Sequence, residues 1–350
     1  MGTQLLADIA NVLTKQFDPA LKRQFNRRSV LAALLPKKNG AGANLNWGAR
    51  FSRSVHAAKF TEGADVAAGE INQDVDQNAV LGWAMYRVAF GMSGISIAAA
   101  RSALQSPDAL LELFEGHLTD AATDLISQIN AALYSGDGSA SEIAGLYGSG
   151  ALAATGSYAG LSRVTYPEWA SNVLGNGAVP RALTKSLLDQ LEQQIFDACG
   201  MPPDVIVASS GVVRKYEALF DSVVRTEPAA GAGAELSVIG RLAGNSGATG
   251  LFYKGIPVVR DRNATAGKLS MLNTDFAGIR SLPHVDPGMA VTPSKDDKGL
   301  TDGVVDTGIN AKVEPLAKTG DSNKFQLVSY LQLQVRRPNT CGVLEDIDES

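Results

Sequence analysis

The longest helical pattern in the sequence is SPDALLELFEGHLTDAATDLISQINAALYSGDG, residues 106–138. Ser106 suits an N-cap, Pro107 the first helical position, and Asp108 the positive end of the helix dipole. Apolar side chains then recur at three- and four-residue steps: Leu110, Phe114, Leu118, Ala122, Leu125, Ile129 and Leu133. The pattern predicts a helix over about 107–134, roughly 42 Å long at 1.5 Å per residue. A helix of that length with one apolar stripe is typical of a strut.

A glycine-rich stretch, EIAGLYGSGALAATG at 142–156, follows this helix. We expect Gly136 to end the helix in the left-handed conformation, and the stretch to form a flexible passage into a second domain. Residues 148–153 read GSGALA and fit the loose G-x-G-x-x-[GA] pattern of a dinucleotide loop. That pattern requires a strand before it and a helix after it, and the residues that follow predict a poor helix. A nucleotide-dependent α/β enzyme is therefore the weaker alternative.

Residues 47–93 predict a long two-stranded hairpin. Residues 47–60 and 75–93 have strand-like composition, and the polar residues between them include turn formers. The hairpin carries few large apolar side chains, and an isolated hairpin is marginal in water. Because the chain offers no obvious cover, we expect the hairpin to lie on another molecule.

The remaining segments alternate between helix and strand, which predicts an α+β fold. We expect a helix over about 181–199, a buried strand in PPDVIVAS, a helix in GVVRKYEALF, and strands in LFYKGIPVVRD and KLSMLNTDF. The segment FQLVSYLQLQVRRP alternates cleanly. Its apolar side chains (Phe325, Leu327, Leu331, Leu333 and Val335) face one way, and its polar ones (Gln326, Gln332, Gln334 and Arg336) face the other.

Charge is distributed unevenly along the chain. The formal net charge is −5, yet residues 1–60 contain ten Lys or Arg and only Asp8 and Asp18 as acids, a local balance of +8. A basic arm on an acidic body indicates electrostatic association with another copy, a helper protein or nucleic acid. A solvated basic surface is the alternative.

The motifs of catalysis and metal binding are missing. The three histidines are far apart, a Walker-type phosphate loop is absent, and Cys199 and Cys341 cannot form a disulfide framework or a four-thiolate zinc site. With no secretory signal, both cysteines are expected to be reduced thiols in a cytoplasm-like compartment. No apolar run reaches the roughly 18 residues of a membrane span. We expect no catalytic residue, cofactor, metal or membrane, and favour an assembly subunit over a nucleic-acid-binding protein.

The order of these features resembles that of the tailed-bacteriophage major capsid proteins with the Hong Kong 97-like fold. The resemblance is carried by the basic arm, the hairpin, the long helix running into EIAGLYGSG, and four further segments. These segments are GLSRVTYPEWASNV, DVIVASSGVVRKYEAL, LFYKGIPVVRD with KLSMLNTDF, and LVSYLQLQVRRPNTCGVLEDI. The pieces span nearly the whole chain, and their order is more specific than any one of them.

The resemblance implies a domain scheme. Residues 1–46 would be the N-terminal arm and 47–94 the extended E-loop hairpin. The peripheral (P) domain would comprise 95–145 and 284–335, with the long helix as its spine. The axial (A) domain would comprise 146–283 and 336–350.

The resemblance also implies the partners. Copies would form hexamers and pentamers of an icosahedral virion capsid, assembled in the host cytoplasm around double-stranded DNA without sequence specificity. A portal protein would occupy one vertex, a decoration protein is a further partner, and a separate scaffolding protein is expected because only about 46 residues precede the hairpin. An encapsulin-type compartment shell is the near alternative.

The arm and the hairpin are expected to make the assembly contacts. The side chains assigned to them are Lys22, Arg23, Arg27, Arg28, Lys59, Phe60, Glu62 and Asp65. Some members of the family form Lys–Asn cross-links from this loop. No partner Asn or catalytic Glu can be matched to Lys59, so no cross-link is expected.

Overall fold

The computed structural model describes residues 30–52, 62–63, 75–98, 108–139, 141–220, 251–283, 285–286, 289–290, 304–305, 309–317 and 320–350. Contacts among them divide the chain into two compact bodies. The described residues of the first body fall within Met85–Ile129 and Leu282–Tyr330. Those of the second body fall within Val30–Ala84, Asn130–Ser281 and Leu331–Ser350.

The α-helices with both ends in the described residues are α1 (Val30–Leu34), α2 (Asp108–Ser135), α3 (Lys185–Cys199) and α4 (Ser210–Phe220). The strands are β1 (Lys37–Asn39), β2 (Leu45–Ser52), β3 (Val75–Leu81), β4 (Ala84–Ser93), β5 (Ser157–Tyr158), β6 (Leu161–Ser162), β7 (Asn172–Leu174), β8 (Val205–Ala208), β9 (Phe252–Tyr253), β10 (Ile256–Arg260), β11 (Leu269–Leu272), β12 (Ala277–Ser281), β13 (Val285–Asp286), β14 (Met289–Ala290), β15 (Val304–Val305), β16 (Ile309–Asn310), β17 (Lys312–Pro315), β18 (Ser322–Val335) and β19 (Gly342–Leu344). Short 3-10 helices occur at Pro167–Trp169 and Pro338–Thr340. This mixture of helix and sheet confirms the α+β class.

The predicted long helix is confirmed as α2, which ends one residue later than expected. The stripe residues of its last turns are fully buried: Leu125, Ile129 and Leu133. Asn130 and Tyr134 are fully buried as well, although they lie off the predicted stripe. The end of the helix is therefore enclosed on more sides than its apolar pattern indicates.

In the first body, β4 and β17 both pair with the beginning of β18. The β17–β18 ladder is antiparallel, with Lys312 opposite Val328 and Pro315 opposite Phe325. The ring of Phe90, on β4, stacks on Phe325 at 5.6 Å between centroids. The stretch 75–93, expected as one strand of the hairpin, is thus divided at Gly82: β3 pairs with β2, whereas β4 joins β18.

The second body contains a six-stranded mixed sheet in the order β7-β19-β11-β8-β10-β9. Its strand β8 is the predicted buried strand of PPDVIVAS, and all four of its residues are buried. This strand pairs in parallel with β10 and antiparallel with β11. Burial of both faces explains why the strand reads as a continuous apolar run instead of an alternating one.

The helices α3 and α4 pack into one apolar cluster with this sheet. The side chain of Thr184 caps α3 by accepting a hydrogen bond from the Leu187 amide, and Gly200 ends the helix with φ 72°. The helix therefore begins later than the expected residue 181. Its fully buried side chains Leu188, Leu191 and Ile195 supply its face of the cluster.

The opposite face of the sheet is also covered. Ser270 alternates with the residues of β11 that face the helices, and its hydroxyl lies 2.6 Å from the Tyr147 hydroxyl. The Tyr147 ring stacks on Tyr134 at 6.0 Å. The segment that follows α2 therefore closes the second face of the sheet, and burial raises the pKa of both tyrosines.

The end of β18 is buried on both faces. The predicted alternation is present, and the polar side chains of this part are buried too, with Gln332 2% and Gln334 4% exposed. The side-chain oxygen Oε1 of Gln332 accepts a hydrogen bond from the Ala144 amide at 2.9 Å. The side-chain nitrogen of Gln332 donates to the Gly82 carbonyl oxygen, also at 2.9 Å. Gln334 accepts from Arg280 Nε at 2.8 Å. The glutamines remain compatible with burial because each of them is hydrogen-bonded.

We predict that Gln332→Leu destabilises the protein by about 2 kcal/mol, because it leaves the buried Ala144 amide without an acceptor. The matched control is Gln326→Leu in the half-buried first part of the same strand, which should change stability by less than about 1 kcal/mol. Denaturant unfolding of the two variants measures both effects. Equal losses would show that the amide of Ala144 does not depend on Gln332.

Candidate assembly surfaces

The hairpin of β2 and β3 forms a two-stranded sheet of its own. The strands are antiparallel, with Leu45 opposite Leu81 and Arg50 opposite Asp76, and the register shifts between Arg50 and Ser52. The only hairpin residues described between the two strands are Glu62 and Gly63. The structure therefore defines the root of the predicted hairpin.

Aromatic side chains of the second body cover this root. Phe51 stacks on Tyr166 at 4.4 Å and meets the edge of Trp169 at 5.5 Å. Trp47 lies 6.4 Å from the rings of both Tyr158 and Trp169. The expectation that the chain offers no cover for the hairpin is wrong at the root, because aromatic residues more than 100 positions later in the sequence supply it.

A solvent-exposed ion pair joins β2 and β3 at the root of the hairpin. Arg50 Nε donates to one carboxylate oxygen of Asp76 at 2.8 Å, and an Nη donates to the other at 3.1 Å. This hydrogen-bonded guanidinium lowers the pKa of Asp76 below its ordinary value. Both side chains are about 60% exposed, so the pair orients the strands and adds little stability.

Most of the side chains predicted to make assembly contacts lie outside the described residues. These are Lys22, Arg23, Arg27 and Arg28 on the arm and Lys59, Phe60 and Asp65 on the hairpin. Glu62 is described: it is exposed and lies in a turn beside Gly63, whose φ is 82°. Because only Glu62 of the predicted set is described, the role of these residues stays a prediction.

The glycine-rich stretch after α2 is packed and lies wholly within the second body. Leu146 and Tyr147 donate backbone hydrogen bonds to Leu133 and Tyr134 of the helix, and Ala151 and Leu152 are buried. The expected flexible passage is therefore wrong for this stretch.

Gly136 also has a different role from the one expected. Its φ is not left-handed, but a Cβ atom there would lie 2.2 Å from the Ile143 carbonyl oxygen. Gly136 therefore permits a close approach of two backbone segments rather than a left-handed turn. A pattern of glycines does not distinguish these two reasons.

The dinucleotide reading of 148–153 finds no support in this geometry. No helix follows the stretch between 151 and 163. A Cβ atom at Gly150 would lie 2.0 Å from the Gly145 carbonyl oxygen, so this glycine faces protein backbone instead of a phosphate. Gly150 thus serves backbone packing, whereas Gly148 adopts a left-handed φ of 67° with no close neighbour.

The buried side chain of Arg163 binds the glycine-rich stretch at 142–156, and the sequence analysis did not identify this residue. The residue is 3% exposed, and its guanidinium donates to the carbonyls of Gly150, Ala151 and Thr155 at 2.7 to 3.1 Å. It also lies 5.7 Å from the Tyr158 ring, and burial lowers its pKa. Nothing in the sequence near Arg163 marks it as buried, since its acceptors are backbone carbonyls.

Among the described residues, no group of three or more His, Cys, Asp or Glu side chains is placed to hold a metal ion. Among the same residues, no helix is long and apolar enough to cross a membrane.

We predict that Gly150→Ala destabilises the second body by about 3 kcal/mol or more, because the added methyl meets three backbone atoms closer than 3.0 Å. Gly48→Ala is the control, because a Cβ atom at Gly48 has no neighbour within 4 Å. Thermal unfolding of the two variants gives the comparison. A Gly150 variant as stable as the Gly48 variant would contradict the close packing of this stretch.

Comparison of the structure with solved structures shows similarity to shell-forming proteins. The cyanophage A-1(L) capsid asymmetric unit aligns with a TM-score of 0.71 and 21% identity, over 94% of this chain and 96% of that chain. A Mycobacterium phage Bobi chain aligns with a TM-score of 0.53 and 12% identity, over 95% and 94%. An encapsulin complex from Synechococcus elongatus aligns with a TM-score of 0.52 and 12% identity, over 97% and 96%. These structural similarities show that the chain shares its fold with these shell-forming proteins.

A family model adds evidence at the level of sequence. The model described as the SU10 major capsid protein matches residues 112–348, well over half of the chain. A comparison with curated proteins gave no match. The matched range includes most of α2, the six-stranded sheet and β18. The chain therefore belongs to the SU10 major capsid protein family, the coat proteins of tailed phages, and has the Hong Kong 97-like fold.

Proposed function

We propose that copies of this coat protein form hexamers and pentamers, which close into an icosahedral shell around double-stranded DNA. The hairpin is the observation that carries this proposal. Its root is fixed by aromatic packing, yet β2 and β3 form a ribbon of only two strands. Such a ribbon is marginal in water. A neighbouring copy that packs on the ribbon would stabilise it, and this stabilisation would favour association of the subunits.

The domain scheme expected from the resemblance belongs to the same proposal. In it, 1–46 is the arm, 47–94 the E-loop, 95–145 with 284–335 the P-domain, and 146–283 with 336–350 the A-domain. Contacts of the E-loop with a neighbouring copy would involve Lys59, Phe60, Glu62 and Asp65. The exposed position of Glu62 supports its availability for such a contact.

The basic arm would make the electrostatic contacts of the shell. Residues 1–60 carry +8, whereas the whole chain carries −5, so the rest of each copy is acidic. An arm of one copy is therefore attracted to the body of another. Lys22, Arg23, Arg27 and Arg28 are the side chains proposed for this contact, and packaged DNA would be contacted without sequence preference.

The remaining partners follow from the assembly of such a shell. We infer a portal protein at one vertex, a separate scaffolding protein during assembly and a decoration protein on the finished shell, all meeting in the host cytoplasm. The coat protein would act as a structural protein and not as an enzyme. Its membership of a capsid family supports that role.

An encapsulin-type compartment is the second candidate, since an encapsulin shares the fold. The higher TM-score of the cyanophage capsid, 0.71 against 0.52, favours the viral shell. Expression of the chain with and without its neighbouring genes, followed by electron microscopy, tests the function. Shells, capsomers or polyheads support it, whereas a stable monomer contradicts it. Purified shells that hold a protein cargo in place of DNA would favour the encapsulin.

We predict that removal of the hairpin tip abolishes shells and leaves a folded subunit. Ser52 and Val75 are cross-strand partners, so a two-residue Asn-Gly turn can join them in place of 53–74. Circular dichroism reports the fold and electron microscopy the shells. A second variant carries a glycine-serine linker of the original length and separates the role of the side chains from that of the length. Normal shells from both variants would contradict the role of the tip.

We also predict that assembly weakens as ionic strength rises, because salt screens the attraction between the arm and acidic surfaces. Light scattering during assembly at a series of salt concentrations measures the dependence. A variant with Lys22, Arg23, Arg27 and Arg28 replaced by glutamine should assemble poorly and lose most of that dependence. An unchanged dependence in this variant would show that these four residues are not the electrostatic contact.

A further inference from the structure

Asp261, directly after β10, is a buried carboxylate that the sequence analysis did not detect. Its side chain belongs to a residue that is 1% exposed. The Oδ2 atom accepts from the Leu31 amide at 3.1 Å and from the Tyr134 hydroxyl at 2.8 Å. The Oδ1 atom accepts from the Asn263 amide at 2.9 Å, and the Asn130 side-chain amide donates to both oxygens at 3.2 and 3.4 Å. Asp261 therefore joins the end of β10, the helix α2 and the start of α1.

The helix α1 lies within the predicted N-terminal arm, residues 1–46, and directly follows the undescribed residues 1–29. The Ala32 amide donates to Asn130 Oδ1 at 3.0 Å, beside the bond from the Leu31 amide to Asp261. Amides in the first turn of a helix have no acceptor within the helix. Asp261 and Asn130 supply the two acceptors, while Val30, Leu31, Ala32 and Leu35 are all buried.

The choice of a carboxylate at this position is informative. All four donors to Asp261 are uncharged, so none of them is a cation. Burying a polar carboxyl group costs free energy that burying an apolar side chain would not. Apolar packing of Leu31 and Leu35 tolerates a shift along the chain, whereas directed hydrogen bonds to two successive amides specify one register.

We propose that Asp261 is a positioning residue for assembly: it fixes the register of α1 and thereby the place on the second body to which the first 29 residues of the arm are joined. The proposal rests on the proposed role of the basic arm. An arm that starts from a displaced point delivers its four cationic side chains to the wrong place on a neighbouring copy. Asp261 therefore acts on assembly through the root of the arm and touches no neighbouring copy itself.

The test compares Asp261→Asn with Tyr134→Phe in the full-length chain. The asparagine offers one acceptor oxygen in place of two, so the donors from α1 and from Asn263 can no longer both be satisfied. Tyr134→Phe removes another donor to the same carboxylate but leaves the bonds to α1 in place. Both variants are first compared by thermal unfolding, so that assembly is measured where each is fully folded.

Hydrogen exchange of a peptide covering residues 30–36, measured on unassembled protein, is the direct readout. Asp261→Asn should raise its exchange about tenfold and leave the amides of α3 and β8 unchanged, whereas Tyr134→Phe should leave residues 30–36 protected. The yield of shells should fall about tenfold in Asp261→Asn and remain near the wild-type yield in Tyr134→Phe. If Asp261→Asn does not fold, Asn130→Ala, which removes the acceptor of Ala32, takes its place.

Three outcomes would overturn the proposal. They are unchanged exchange of residues 30–36 in Asp261→Asn, a wild-type yield of shells from that variant, or equal effects from Tyr134→Phe. Failure of the arm itself is recognised separately by a chain that lacks residues 1–29. If that chain assembles normally, the proposed role of the arm is wrong, and the proposed effect of Asp261 on assembly is wrong as well.

Discussion

The hydrogen bonds of the last two turns of α2 determine how the second body is built. The carbonyls of Leu133 and Tyr134 accept from the amides of Leu146 and Tyr147 at 2.8 and 3.1 Å, which turns the chain back along the helix. Tyr147 then reaches the sheet through Ser270, so this returning segment covers the face that α3 and α4 leave open. A sheet buried on both faces requires such a cover, and the end of a long helix provides a rigid place from which to start it.

The roots of the arm and of the hairpin are fixed by different chemistry. In the arm, α1 is hydrogen-bonded through Asp261 and Asn130. The hairpin begins beside Phe51, which packs on Tyr166 and Trp169. Val30, Leu31 and Ala32 are buried at the root of the arm, whereas Trp47 and Phe51 are half-buried at the root of the hairpin. For the proposed contacts between copies, roots that are fixed before the copies meet would lower the entropy cost of association.

Sequence reasoning succeeded where the determining interactions are local. The periodicity of α2, the apolar run of β8 and the end of α3 before Gly200 are all determined within a few residues. It failed where the partner lies far along the chain. Asp261 meets residues more than 100 positions away, and Arg163 binds backbone carbonyls that no residue type identifies. Gly136 shows a further limit, since close packing and a left-handed turn select the same residue.

The order of arm, hairpin and helix predicted the coat-protein family, whereas the assembly contacts stay a prediction because they depend on a second copy of the chain. A density map of assembled particles at side-chain resolution tests most directly whether neighbouring copies complete the hairpin. We expect residues 53–74 of each subunit to lie against another copy, with the aromatic root at Phe51 unchanged. A map in which these residues pack on their own subunit, or extend into solvent without a contact, would contradict this account.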